Sequence, residues 1–196
     1  EGSRLAVGLQ SSPAVSGQTL RGDEPKGRIS ICDGETGTQV SQMEIRGAVL
    51  YATITPDGSR LAVAFGESGL QSGSRQAAVG IWDTSSGALV NTLPALGWGA
   101  FARLIWSPDN TRLLRPSVVT ETIDNKRQSR HFVQVVNAVS GQELWKYELP
   151  ETDFPNPAWT WSPDGKFLAT LANLDPGPMK AYVELLDSET GRPLAK

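Results

Sequence analysis

Cysteine and histidine are almost missing from this chain. One cysteine, Cys32, stands in 196 residues. A single thiol forms no intrachain disulfide, so a disulfide-stapled scaffold is excluded. One histidine, His131, is equally alone. A metal centre built from several His and Cys ligands is excluded with it. A Ser-His-Asp or Cys-His arrangement would have to use that one imidazole, and nothing near it resembles a nucleophile elbow. Basic residues are not in excess: 18 Lys and Arg face 21 Asp and Glu, a formal net charge of -3. Nucleic acid is therefore not an expected partner, because its recognition needs a basic stripe. No apolar run approaches the ~20 residues that span a bilayer as a helix, so no membrane partner is expected either. The opening residues, Glu1 to Val7, do not have the pattern of a signal peptide.

What the chain does have is turns, and they repeat. Thirteen Pro and 20 Gly are spread along it. Thr55-Pro56-Asp57-Gly58-Ser59-Arg60-Leu61-Ala62 recurs as Ser107-Pro108-Asp109-Asn110-Thr111-Arg112-Leu113-Leu114. It recurs again as Ser162-Pro163-Asp164-Gly165-Lys166-Phe167-Leu168-Ala169. Gly2 to Val7 matches Gly58 to Val63 at every position, so the chain opens inside the same motif. A second motif follows each copy: Asp33 to Gly37, Asp83 to Gly87, Asn137 to Gly141 and Asp187 to Gly191. Its glycines are 50, 54 and 50 residues apart. Proline presets φ for a type I turn, Asp bonds its own nearby backbone, and Gly or Asn accepts the left-handed conformation. Asp57, Gly58, Asp109, Asp164, Gly165, Asp33, Gly37, Asp83, Gly87, Gly141, Asp187 and Gly191 are thus read as turn-makers. Their even spacing argues against a catalytic carboxylate series.

Between the turns, apolar residues alternate with period two, as at Val49, Tyr51 and Thr53, and no long helical period occurs. The predicted class is all-β. Ser-Pro-Asp-Gly-x-x-Leu-Ala followed by Ile81-Trp82-Asp83-x-x-x-Gly87 is similar to the WD-repeat consensus, over essentially the whole chain. The full Trp-Asp pair occurs once; its equivalents are Cys32-Asp33, Val136-Asn137 and Leu186-Asp187, and the family's Gly-His pair is absent. A TolB-like propeller is the second resemblance. Either implies a β-propeller of four-stranded antiparallel blades. Four blades are expected, near residues 1–47, 48–97, 98–154 and 155–196, the first without its innermost strand. Together they are expected to form an incomplete ring, a segment of a larger protein. Open end blades would expose apolar faces that favour self-association.

The repeats average about 51 residues, whereas a WD repeat has about 40–45. The surplus lies between the second and third strands of each blade. Loops are expected at Gln10 to Gly27, Gly66 to Gln76, Pro116 to Arg130 and Asn173 to Met179. The resemblance implies that these emerge on the face opposite the Pro-Asp-Gly turns. Loops on a rigid scaffold commonly carry binding. The candidate partner-binding residues are Trp98, Lys126, Arg127, Arg130, His131 and Phe154. Gly66, Gly69 and Gly73 precede no helix and make a weak phosphate cradle. No metal, cofactor or catalytic residue is expected. The inner strands carry one charged residue, Arg103.

The expected function is a non-catalytic scaffold that binds another protein or peptide, within a larger multidomain protein. The alternative is the propeller domain of a hydrolase, a peptidase gating domain or a lactonase-like enzyme, whose active site lies outside this segment. Both rest on analogy at the level of fold.

Overall fold

The computed structural model describes residues 4–11, 26–46, 48–66, 77–96, 103–123, 126–149, 158–173 and 181–195. Every regular element in them is a strand. The chain forms two compact units, Glu1–Ala95 and Leu96–Lys196, each holding two antiparallel sheets.

The first unit opens with a three-stranded sheet of β1 (Arg4–Ser11), β2 (Lys26–Asp33) and β3 (Gln39–Arg46), in chain order. The second sheet follows as β4 (Ala48–Ile54), β5 (Arg60–Gly66), β6 (Ala77–Asp83) and β7 (Leu89–Leu96). Alternation decides how they pack. Ile29 and Ile31 of β2 and Met43 and Ile45 of β3 share one face, and they cluster with Leu61, Val63 and Trp82 of the second sheet. Trp82 meets Phe65 edge-on at 6.1 Å, a favoured aromatic geometry. Its ring lies over Gly80, where a Cβ would come within 2.2 Å of it; only glycine leaves that space.

The second unit holds β8 (Ile105–Trp106), β9 (Arg112–Ile123), β10 (Lys126–Asn137) and β11 (Glu143–Glu148), then β12 (Trp159–Trp161), β13 (Phe167–Asn173), β14 (Ala181–Asp187) and β15 (Pro193–Ala195). Each set of four is one sheet in chain order. Leu114, Val133, Val135 and Trp145 of the third sheet pack with Trp161, Leu168 and Leu186 of the fourth.

The two repeated turns lock together at one end of each of the three four-stranded sheets. In the Pro-Asp-Gly turns, Gly58, Asn110 and Gly165 take φ of 74°, 63° and 71°. Their N–H groups donate to the carbonyls of Thr55, Ser107 and Ser162 at 2.8, 3.0 and 2.9 Å. Asp57 Oδ1 accepts the Ser59 N–H at 2.9 Å and the Thr55 hydroxyl at 2.6 Å. The second turn docks on the first: Thr84 Oγ1 donates to Gly58 O and Ser188 Oγ to Gly165 O, each at 2.6 Å.

A polar latch joins the sheets within each unit. The residue four positions after the turn glycine donates to the carbonyl just after the turn acid of the next sheet. In the first unit Ser41 Oγ donates to Thr84 O at 2.5 Å. In the second Trp145 Nε1 donates to Ser188 O at 2.9 Å. Arg112 reinforces the second latch. It donates to Ser188 O and Oγ at 3.2 Å and to Gly165 O at 3.1 Å, and its guanidinium lies 4.8 Å from the Trp161 ring centroid.

One expectation is overturned. Residues 116–123 and 126–130 are not a loop: β9 and β10 run through them as a twelve-residue antiparallel pair, from Asn137–Arg112 to Lys126–Ile123 without a bulge. His131 therefore lies midway along β10. The β-branched Val118, Val119, Thr120, Thr122 and Ile123 suit the pleated conformation and carry the strand onward.

Candidate functional site

The feature that departs most from the repeat is this extended hairpin. The β9 and β10 strands start and end at the two turns, so the hairpin grows from the opposite end of the third sheet. On one side β8 pairs only as far as Ile105–Leu114. On the other, β11 pairs as far as Phe132–Glu148, and Leu149 N–H donates to His131 O at 2.8 Å. The five register pairs from Arg130–Val119 to Lys126–Ile123 have no third strand beside them among the described residues. Glu121, Thr122, Gln128 and Arg130 are exposed there.

The hairpin is braced where it leaves the sheet. Phe132 is buried, and two cations lie on its ring: Lys146 Nζ at 3.8 Å and Arg130 Cζ at 5.3 Å from the centroid. Arg130 also pairs in bidentate fashion with Glu148, Nε to Oε1 at 2.6 Å and Nη2 to Oε2 at 2.5 Å. That hydrogen bonding holds the Glu148 carboxyl below its ordinary pKa and raises the Arg130 guanidinium. Beneath Phe132 lies a buried polar row of Ser117, Gln134 and Arg115, the last two paired across the strands. Burial lowers the Arg115 guanidinium pKa, and the Glu143 charge opposes it.

Of the candidate binding residues, Lys126, Arg127, Arg130 and His131 all lie on β10. Arg130 is engaged by Glu148, and His131 is half-buried. Trp98 and Phe154 lie outside the described residues, as do 12–25, 67–76 and 174–180, which hold most of the other three expected loops. Arg103 is exposed just before β8. Sequence reasoning missed Phe132, Lys146 and Glu148 as parts of this region. Their signal is alternation: Arg130 and Phe132 share one face of β10, facing Lys146 and Glu148 on β11. Among the described residues no group of three or more His, Cys, Asp or Glu side chains could hold a metal ion.

Four-stranded antiparallel sheets in chain order, locked by repeated turns and packed face to face in pairs, have close parallels among solved structures. The acylaminoacyl peptidase of Pyrococcus horikoshii matches with a TM-score of 0.60 and 15% identity, over 87% of this chain and 28% of that one. The β-propeller domain of the Trilobed protease from Pyrococcus furiosus gives 0.56 and 13%, over 86% and 48%. The WD40 domain of Toxoplasma gondii coronin gives 0.53 and 10%, over 85% and 49%. The sheets are β-propeller blades. The chain spans half or less of the length of each of these structures. No family model and no curated protein matches the sequence. The propeller architecture explains the hairpin's place: it springs from the blade end away from the Pro-Asp-Gly turns, between the second and third strands of the third blade.

Proposed function

We propose that the chain is a non-catalytic protein-interaction scaffold, part of a larger multidomain protein, and that its contact element is the β9–β10 hairpin. One observation carries this reading: the two central strands of the third blade run five register pairs past their last neighbours among the described residues. A projecting two-stranded element on a braced base offers side chains and strand edges to an extended segment of a partner. The Phe132 clamp restrains the base of that element, which lowers the entropy lost on binding. The test replaces residues 118–129 with a two-residue turn. Partner recovery by cross-linking and mass spectrometry is then compared with the parent, with circular dichroism as the folding control. Loss of specific partners with retained β signal is expected; an unchanged set of partners refutes the hairpin as contact element.

A second reading is a propeller domain of a hydrolase. Two peptidases among the similar folds favour it. The reading frame around this segment discriminates: an adjoining hydrolase domain would support this reading over a non-catalytic scaffold.

A further inference from the structure

The junction between the third and fourth blades is polar at three places where the junction between the first and second is apolar. In the first unit Met43 of β3, Val63 of β5 and Gly80 of β6 hold these places. Met43 and Val63 are buried in the cluster that joins the blades, and Val63 pairs in register with Gly80, whose missing side chain leaves room for the Trp82 ring. In the second unit the equivalent positions carry Tyr147, six residues after the turn glycine, Thr170, two after the leucine of the second strand, and Glu184, three before the turn acid. Register confirms the equivalence: Thr170 pairs with Glu184, and Tyr147 pairs with Val133 as Met43 does with Ile29. Three strands have exchanged apolar or absent side chains for oxygen-bearing ones at one spot.

That spot is buried. Glu184 is 1% exposed and Thr170 3%. Leu168 and Leu186, two positions along the same strands, pack against Val133, Val135 and Trp145 of the third blade, so Thr170 and Glu184 face the same way. As direct partners on adjacent strands they stand about 5 Å apart at Cβ. Tyr147 reaches across from the third blade, and its hydroxyl donates to Glu184 Oε2 at 3.1 Å. Thr170 Oγ1 is buried beside them without a hydrogen-bond partner. A buried hydroxyl in that state is costly, and the valine that fills the same place in the second blade avoids the cost. Arg115 and Lys146, the basic residues of the third blade at this level, pair in register with Gln134 and lie on its other face.

We infer that the third and fourth blades bind a hard monovalent cation, of the sodium or potassium class, between Glu184, Thr170 and Tyr147. One carboxylate and two hydroxyls form an all-oxygen donor set, which suits hard cations rather than those that seek His or Cys. One carboxylate balances one positive charge, whereas a divalent ion would leave surplus charge in an otherwise apolar layer. Such an ion needs no cluster of acids. Tyr147 gives its proton to Glu184 and keeps oxygen lone pairs for the ion, and the Thr170 hydroxyl has two. The ion ties two strands of the fourth blade to the outer strand of the third, so its concentration governs how firmly the two blades pack.

The test is urea unfolding of the 196-residue chain, followed by circular dichroism, in sodium, potassium or choline chloride at one fixed ionic strength. Choline is too large to enter. Sodium or potassium should raise the urea midpoint over choline, and the folding equilibrium constant should climb about tenfold for each tenfold of ion above its dissociation constant. Glu184→Gln and Thr170→Val keep the side-chain volumes and should each abolish the difference between these ions and choline. Glu189→Gln, at an exposed turn position, should leave it intact. Thr170→Val gives the fourth blade the residue that the second already holds, so it tests the site even where Glu184→Gln does not fold. Equal midpoints in all three salts, the result for a bound water alone, overturn the inference. So does an ion dependence that persists in Thr170→Val.

Discussion

Gly191 and Gly37 form a matched pair that isolates one contact. Both end an Asp-x-x-x-Gly turn, at φ of 68° and 69°. Both N–H groups donate to the carbonyl of the turn acid, Gly191 to Asp187 at 2.9 Å and Gly37 to Asp33 at 2.8 Å. Their surroundings differ. A Cβ on Gly37 would meet nothing within 4 Å, whereas one on Gly191 would lie 2.6 and 2.7 Å from Cε3 and Cδ2 of Trp145. Alanine at either site suffers the left-handed penalty, roughly 1–2 kcal/mol. At Gly191 it must also displace an indole that is buried and hydrogen-bonded to Ser188 O, which adds roughly 1–3 kcal/mol of overpacking. Gly37→Ala should therefore cost ~1–2 kcal/mol and Gly191→Ala ~2–5 kcal/mol. Urea titrations followed by far-ultraviolet circular dichroism and tryptophan fluorescence measure both. Equal costs, within ~0.5 kcal/mol, would show that the Trp145 contact does not constrain the turn.

Three further outcomes are expected. Gly80→Ala should cost about 1–3 kcal/mol and red-shift Trp82 emission, because the new methyl would displace the indole from its place beside Phe65; unchanged emission refutes it. Arg112→Ala should destabilise by about 1.5–3 kcal/mol, the usual loss for charge-assisted hydrogen bonds. Arg112→Lys should recover only part of this, since an ammonium cannot reproduce the guanidinium fork over Ser188 and Gly165; full recovery on thermal melts contradicts the latch. Acid should destabilise the fold in a defined window. The Asp83 carboxyl is lowered from 3.8 to about 2 by the Ser85 hydroxyl, the Ser86 N–H and the Ser86 hydroxyl; Asp187 is lowered by the hydroxyl and N–H of Thr190, and Asp164 by the Ser162 hydroxyl and the Lys166 N–H. A depressed carboxyl contributes stability that is full above its unfolded value and is lost as pH falls through the folded one. Melting temperature should hold above pH ~4 and fall toward pH ~2. Asp83→Asn should soften that fall, and a fall as steep as the parent's refutes the assignment. Asn137 already fills the third repeat's position, accepting from Val139 and Ser140 N–H at 3.0 and 2.9 Å.

The turns were legible in the sequence because their chemistry is local. Pro56, Asp57 and Gly58 specify a chain reversal from within four residues, and the same reversal recurs at Pro108 and Pro163. Strands followed from the turns: β5 (Arg60–Gly66) starts two residues after Gly58, and β6 (Ala77–Asp83) ends on the acid of the second turn. The latches were not legible. Ser41 and Trp145 occupy equivalent positions and bond equivalent carbonyls, yet one is a small hydroxyl and the other a large indole. Their common property is a donor aimed across to another sheet, and that appears only when the sheets are packed. Arg112 is similar: in sequence it is one more solvated cation beside Asp109, and its partners lie 53 and 76 residues away.

The hairpin shows the converse, a local signal outweighed by another. Lys126-Arg127-Gln128-Ser129-Arg130 reads as a loop because five polar residues in a row lack the apolar alternation by which strands are recognised. Its partner strand kept the evidence. Val118-Val119-Thr120-Glu121-Thr122-Ile123 is almost wholly β-branched, a composition that disfavours loop and suits a pleat. A strand of that length needs a partner for its backbone groups, and the next segment in the chain, after only Asp124 and Asn125, is the polar run. Pairing therefore dictates the conformation of 126–131 where composition does not. The same logic ties the hairpin to its proposed role. With no third strand to pair with among the described residues, its outer edges leave backbone donors and acceptors for water or for another chain. A protein-binding element would have that geometry, whereas a merely tolerated insertion would have no need of the Arg130–Phe132–Lys146–Glu148 clamp at its base.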